Sequence, residues 1–284
     1  MTDRIESIDR GREFGVGPRR GMPEPERGRL EREHRSIGSQ IEHTEDAGVV
    51  KTGTTTVAVA GSDGVVLGAD TRASVGGGRF VANRTTQKIE PIGDRAAVAF
   101  SGSVSDAQSF VRQLRAESRL YELEHGTAIS LESLATLAGG LVRRGPYRVL
   151  DLLLAGVEDD GVEAESSAGD STDVGAAVYD IGPGGGVMTA DYAASGSGMQ
   201  LAYGALEGTL GEATGTKTVG DLRPIVASAV RSATARDTAS GDGMTVATVT
   251  TDGVERERFD ELETAVEAVA PTVGDDVPAG EEVR

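Results

Sequence analysis

Two side chains that enzymes often use for nucleophilic work, cysteine and histidine, are absent or scarce in this chain of 284 residues. It has no cysteine and three histidines, and His34 and His43 both fall in the first fifty residues. Only His125 remains beyond them, at the expected end of a helix. A thiolate nucleophile, a Cys-based zinc site and a His-based triad are close to excluded. What the chain offers instead is "GTTT", Gly53 to Thr56. Threonine is β-branched and common in strands, so strand propensity alone explains the run. The other reading is a cut between Gly53 and Thr54. An α-amine titrates at about 7.7–8.0, so it can act as a base near neutral pH. Thr54 would then carry both a hydroxyl nucleophile and its base. Gly53 has no side chain to obstruct Thr54 Oγ. Attack on the Gly53 carbonyl, an N-to-O acyl shift and ester hydrolysis would release residues 1–53.

A threonine amine works better beside a positive charge, which lowers the pKa of amine and hydroxyl alike. The chain holds three lysines against twenty-five arginines, and Lys88 lies beside strand-like residues. Lysine is ordinarily a surface charge, but its scarcity here makes Lys88 informative. Asp70 could hold that ammonium and offset its burial, or could simply end a strand. Gly102 reads as a strand-to-helix turn, where backbone donors could meet a developing oxyanion. "SGSG" at 195–198 has the look of a phosphate cradle, but no Walker lysine or Rossmann frame accompanies it. Asp237 and Ser240 could be helix-end and turn residues.

These residues need elements to bring them together. "TTTVAVA", "GSDG" and "VVLGAD" read as strand, turn and strand. "VGGGRF" reads as a flexible loop, and "QKIEPI" and "RAAVAFSG" as two strands. Val104, Ala107, Phe110, Val111 and Leu114 recur at helical spacing, with Leu120 and Leu123 continuing the stripe towards Gly126. "SLESLATLAGGLVRR" is a second helix. Strands follow in "VLDLLLAGVE", "AAVYDIG" and "GVMTADYAA". "GMQLAYGALEGTL" and "DLRPIVASAVRSATARD" are helical, and "MTVATVTTDG" is a strand. Strands, helix pair, strands, helix pair and strand is not β-α alternation. It predicts an α+β fold of two antiparallel sheets with helix pairs on their outer faces.

Charge and composition bound the rest. Residues 1–53 carry ten basic and eleven acidic side chains, so 54–284 holds all but one of the formal charge of −18. So acidic a domain argues against nucleic-acid binding. Abundant acid with scarce lysine suggests a cytoplasm of very high salt. No apolar run is long enough to cross a membrane. Arg19-Arg20 is followed by "GMPEPERGRLERE" rather than an apolar segment, so a cytoplasmic protein is expected. Residues 1–48 are polar and aperiodic, which predicts disorder. "DDGVEAESSAGDSTD" reads as an acidic surface insertion near 158–173, and the acidic tail from about 273 as loose.

"TGTTTVAVAGSDGVVLGADTRAS", "ANRTTQKIE", "FSGSVSDAQ", "ASGSGMQLAYG" and "ARDTASGDG", in that order, resemble the motifs of the catalytic beta subunit of the proteasome core particle, archaeal type. The resemblance covers about 54–265. It implies a four-layer αββα sandwich, the N-terminal nucleophile hydrolase fold, with 1–53 a propeptide that the chain itself removes at Gly53–Thr54. It implies that Thr54 is the nucleophile, Asp70 the buried acid and Lys88 the catalytic lysine. Gly102 N–H becomes the oxyanion donor, and Ser197, Asp237 and Ser240 support the threonine amine. Ala73, Thr86, Phe100 and Val104 map to the substrate pocket, with Glu90 at its rim, which implies cleavage after hydrophobic residues. The implied partners are alpha subunits and other beta subunits in stacked seven-membered rings, an ATP-dependent unfoldase of the AAA type, and unfolded polypeptides. Neither a metal nor an organic cofactor is implied. The extra glycines of "VGGGR", the long leader and the acidic insertion depart from the family pattern. The rivals are a non-catalytic structural beta-ring subunit, an amidohydrolase with an N-terminal threonine acting on small amides, and the bacterial double-ring peptidase.

Overall fold

The computed structural model describes residues 53–147, 149–158, 175–211 and 214–270. The expectations of a disordered leader and a loose tail, and all of the acidic insertion beyond Glu158, lie outside the described residues.

The threonine run opens β1 (Thr55–Ala60), which turns at Gly61–Gly64 into β2 (Val65–Asp70). The turn closes through Gly61 N–H donating to Gly64 O at 2.8 Å. β3 (Ala73–Val75) and β4 (Phe80–Asn83) form a small antiparallel pair of their own. Here the expected flexible loop is instead a hairpin. Gly76, Gly77 and Gly78 all have positive φ, so the glycine run supplies a tight turn, not slack. β5 (Ile89–Ile92) and β6 (Ala96–Gly102) lead into α1 (Val104–His125) and α2 (Leu131–Arg144). Ser103 caps α1, and Gly126, with φ 74°, ends it by donating to Glu122 O. Next come β7 (Leu150–Val157), β8 (Ala176–Ile181), β9 (Val187–Ala190) and β10 (Tyr192–Gly196). α3 (Met199–Leu210), α4 (Val219–Thr234), β11 (Met244–Thr250), β12 (Gly253–Phe259) and α5 (Leu262–Ala268) complete the order.

Two five-stranded sheets result, ordered β10-β1-β2-β11-β12 and β5-β6-β7-β8-β9, and every pairing is antiparallel. Strand alternation sends successive side chains to opposite faces, and three apolar layers follow. Ala58, Leu67, Ala97, Ala99, Leu153 and Val249 pack between the sheets. Val57, Val66 and Val246 meet Leu206, Val226 and Val230 of the α3–α4 layer. Val98, Phe100 and Leu152 meet Phe110, Leu114 and Leu134 of the α1–α2 layer. The four-layer αββα sandwich is therefore present.

Three local expectations need correction. "GVMTADYAA" is not one strand: the chain changes sheets at Asp191, β9 pairing with β8 and β10 with β1. The buried Ala193 and Ala194 draw β10 into the first sheet, while Val187 and Met188 stay exposed at the edge of the second. Leu120 and Leu123 do not continue the core stripe of α1; they are 48% and 68% exposed. A 22-residue helix is about 33 Å long, and its buried contacts end at Leu114. Finally, β12 and α5 follow β11 where no element was expected. β12 is an edge strand whose "VERER" carries charge instead of apolar alternation.

Candidate active site

The site is assembled around Asp70, where β2 ends. The carboxylate is fully buried and accepts four donors. Oδ1 accepts Lys88 Nζ at 2.7 Å and Thr55 N–H at 2.9 Å. Oδ2 accepts Gly241 N–H at 2.8 Å and Arg72 N–H at 3.1 Å. Lys88 sits just before β5 and is anchored by Phe100 N–H donating to its carbonyl at 3.0 Å. Lys88 is 1% exposed, and burial pushes its pKa below the ordinary lysine range, against the attraction of Asp70. Burial likewise pushes the Asp70 carboxyl up, while Lys88 and the backbone donors oppose it. One carboxylate oxygen thus joins a buried cation to the backbone that follows Thr54.

Thr54 is buried in the uncut chain. Its hydroxyl donates to the Gly53 carbonyl oxygen at 2.7 Å, so it lies close to the Gly53–Thr54 peptide bond. Its N–H donates to Ser197 Oγ at 3.1 Å. Ser197 Oγ in turn lies 2.6 Å from Asp237 Oδ2 and 3.2 Å from Thr54 O; its single proton can serve one of the two. Ser240 Oγ donates to Asp237 Oδ2 at 2.6 Å and lies 2.8 Å from Thr55 Oγ1. The "SGSG" stretch explains itself here. A Cβ on Gly196 would stand 2.1 Å from Thr54 O, and one on Gly198 2.0 Å from Thr55 Oγ1. These glycines let the chain lie against Thr54 and Thr55, which replaces the phosphate-cradle reading with close backbone approach.

Thr54, Asp70, Lys88, Ser197, Asp237 and Ser240, from five separate stretches, therefore share one hydrogen-bonded network. Gly102 is positioned by the sheet, as the last residue of β6 and directly before the Ser103 cap of α1. Its φ of 106° and a Cβ clash of 2.2 Å with Val149 O restrict the position to glycine.

A cavity of about 380 Å³ opens between α1 and the 83–90 segment. It is lined by Thr86, Glu90, Phe100 and Val104, which the resemblance maps to the substrate pocket and its rim, but not by Ala73, which is buried on β3. The wall is also more polar than its mapped residues suggested. Gln108, Arg112 and Arg115 of α1 line it, and Arg115 Nη2 pairs with Glu90 Oε2 at 2.8 Å. Their spacing of four, eight and eleven residues from Val104, on one helix face, was the available signal.

Three further residues of the network were missed. Thr55, taken as a strand residue, gives its amide to Asp70 and its hydroxyl to Ser240. Arg72 and Asp242, inside motifs already singled out, form a salt bridge at 2.9 Å. Among the described residues, no group of carboxylate and histidine side chains could hold a metal ion, and no helix is long and apolar enough to cross a membrane.

Comparison with known proteins identifies the family. A family model described as "Proteasome subunit" matches residues 50–249. The chain is 44% identical over 218 residues to a proteasome subunit beta of Halorhabdus utahensis, covering 77% of this chain and 86% of that one. It is 45% identical over 212 residues to proteasome subunit beta 1 of Haloarcula marismortui (75% and 81% covered). Proteasome subunit beta 2 of Haloterrigena turkmenica is 42% identical over 229 residues (81% and 89% covered).

Proposed function

Since the chain belongs to the proteasome subunit family, among the beta subunits of halophilic archaea, we propose that it is a threonine-type endopeptidase that activates itself. The observation that carries this reading is Thr54, whose hydroxyl lies 2.7 Å from the Gly53 carbonyl oxygen while its nitrogen rests on Ser197.

Activation comes first. Thr54 Oγ attacks the Gly53 carbonyl carbon, its proton passes to the Thr54 nitrogen, the C–N bond breaks, and the acyl group is left on oxygen as an ester. Water hydrolyses that ester. Residues 1–53 leave with a carboxylate on Gly53, and Thr54 is left with a free amine and its hydroxyl. In peptide cleavage that amine takes the hydroxyl proton, directly or through a water, as Oγ attacks the substrate carbonyl. Lys88 supplies the positive charge that favours the alkoxide, and Asp70 holds Lys88 in place. Gly102 N–H, beside the N-terminal end of α1, is the donor assigned to the oxyanion. The leaving amine takes a proton, and water hydrolyses the acyl-enzyme ester. Ser197, Asp237 and Ser240 orient the amine throughout.

We assign the cavity beside Phe100 and Val104 to the substrate side chain. Membership of the family further supports assembly into proteasome particles. The substrates on this reading are unfolded polypeptides, admitted by an ATP-driven unfoldase to a chamber of beta rings capped by alpha rings in the cytoplasm.

The test is Thr54→Ala in assembled particles, with intact mass and peptide hydrolysis measured together. The wild-type chain is expected to begin at Thr54, and the variant to keep its leader and lose hydrolysis. A wild-type beta chain that stays full length in active particles, or a variant that hydrolyses at the wild-type rate, overturns the reading.

A further inference from the structure

Asp70, Thr71 and Arg72 are consecutive, and each grips the loop 237–243. Asp70 Oδ2 accepts Gly241 N–H. Thr71 donates its N–H to Gly243 O at 3.0 Å and accepts Gly243 N–H on its hydroxyl at 2.9 Å. Arg72 donates its N–H to Gly241 O at 3.2 Å. Its guanidinium forks onto Asp242, Nε to Oδ2 at 2.9 Å and Nη2 to Oδ1 at 3.3 Å. Nη1 reaches Thr238 O at 3.2 Å. The loop so held contains Asp237 and Ser240, which meet Ser197 and Thr55.

We propose that the Arg72–Asp242 fork is a positioning device for peptide cleavage: it sets the loop that aims Asp237 and Ser240 at the Thr54 amine. The proposal rests on the reading of Thr54 as nucleophile. Neither residue reaches Thr54, so both act through the loop. Two features point to positioning beyond general stability. Asp242 has φ 64°, the one non-glycine residue with positive φ among the described residues. Aspartate and asparagine are the residues with a Cβ that tolerate left-handed backbone best, and partners bound to the side chain hold it there. Here the partners are Arg72 on both carboxylate oxygens and Arg84 Nη1 on Oδ1 at 3.0 Å. The fork is also well shielded, with side-chain exposures of 23% and 12%, and a two-point guanidinium–carboxylate contact fixes direction as well as distance. Ser240 lies two residues before Asp242 and its hydroxyl has to meet both Asp237 and Thr55, so a small rotation at Asp242 misaims it.

The experiment uses assembled, processed particles carrying Arg72→Ala, Arg72→Lys, Asp242→Asn or the pair Arg72→Ala/Asp242→Asn, assayed with a short fluorogenic peptide. Asparagine tolerates left-handed backbone, so Asp242→Asn removes the charge and not the conformation. Arg72→Ala and Asp242→Asn are each expected to lower kcat by about 10- to 100-fold, since a misplacement of about 1 Å can cost that much. KM should stay within about threefold, because uniform substrate binding is untouched. The pair should fall no further than its worse member, because one fork is lost in either case. Arg72→Lys cannot fork and should lose kcat too; if Arg72→Ala fails to assemble, Arg72→Lys and Asp242→Asn decide. Wild-type kcat in those variants, a loss confined to KM, or losses that multiply in the pair would overturn the proposal. Thr54→Ala run beside them separates the two ideas. If it is inactive while the fork variants keep wild-type kcat, only the fork is wrong; if it is active, the reading of Thr54 is wrong.

Discussion

Lys88 and Glu90 stand two residues apart, and each is half of an ion pair of nearly the same length. Lys88 Nζ lies 2.7 Å from Asp70, and Glu90 lies 2.8 Å from Arg115 Nη2. Distance does not distinguish them, but burial does. The Lys88 and Asp70 side chains are 2% and 0% exposed, against 28% for Glu90 and 40% for Arg115. A half-exposed pair exchanges protein contacts for water at little net gain. A buried pair has lost its water and stands only if every lone pair is used, as the four donors on Asp70 show. The first pair can therefore hold an ammonium in a fixed place for chemistry. The second keeps its contact with water, and Arg115 Nε is tied in addition to Pro91 O at 2.8 Å.

Mutation can test that contrast. The largest effect is expected from Asp70→Asn, which leaves the Lys88 ammonium without a counter-charge and turns an amide donor towards backbone donors. Breaking one partner of a buried pair costs about 3–5 kcal/mol, and hydrolysis should fall by about 10²-fold or more. Denaturant unfolding and peptide turnover check the two parts. The double change Lys88→Met/Asp70→Asn should be more stable than Asp70→Asn alone and equally inactive, because no unpaired charge remains. Equal stability would mean that the buried charge is not what the fold opposes. Gly102→Ala comes next, at about 1–3 kcal/mol, from its positive φ and the contact with Val149 O. Arg115→Ala should cost no more than about 1 kcal/mol in the same unfolding measurement. Its effect should appear in the cleavage preference across a peptide series, through Glu90, which loses its close cation.

The smallest effect concerns a carboxylate with another carboxylate as neighbour. Asp180 is half-buried on β8, and burial followed by repulsion from Asp151 raises its pKa above the ordinary 3.8. A raised folded pKa means that its contribution to stability is complete below about pH 3.8 and is lost as pH rises through the folded value. Asp180→Asn should therefore gain stability over the wild-type chain at neutral pH and show no gain below that window. An unchanged difference between pH 3 and 7, by thermal unfolding, would show that Asp180 is not strained.

Much of the site could be read from the chain because its chemistry is unusual. With cysteine absent and histidine nearly so, a threonine terminus was one of few routes to a nucleophile, and lysine scarcity drew attention to Lys88. The elements β1, β2, β6, α1 and α2 were legible because their apolar spacing and caps are local. Arg72 and Asp242 were not, since arginine is common here and an acid in a glycine-rich turn looks like solvated surface. Their salt bridge spans 170 positions of sequence. β12 escaped for a related reason: an edge strand does not need two apolar faces, so its pattern is that of a charged loop.

By itself, the sequence determined which residues could react and most of the segments that are strand or helix, because both follow from side-chain type and short-range periodicity. Only the tertiary structure decided which sheet each strand joins, where α1 leaves the core, and which acids are buried beside a cation or beside another acid. Periodicity says that a strand has a buried face but not what covers it. The split at Asp191 and the burial of Lys88 against Asp70 depend on partners far away in the chain, and those become neighbours only when the two sheets close on one another.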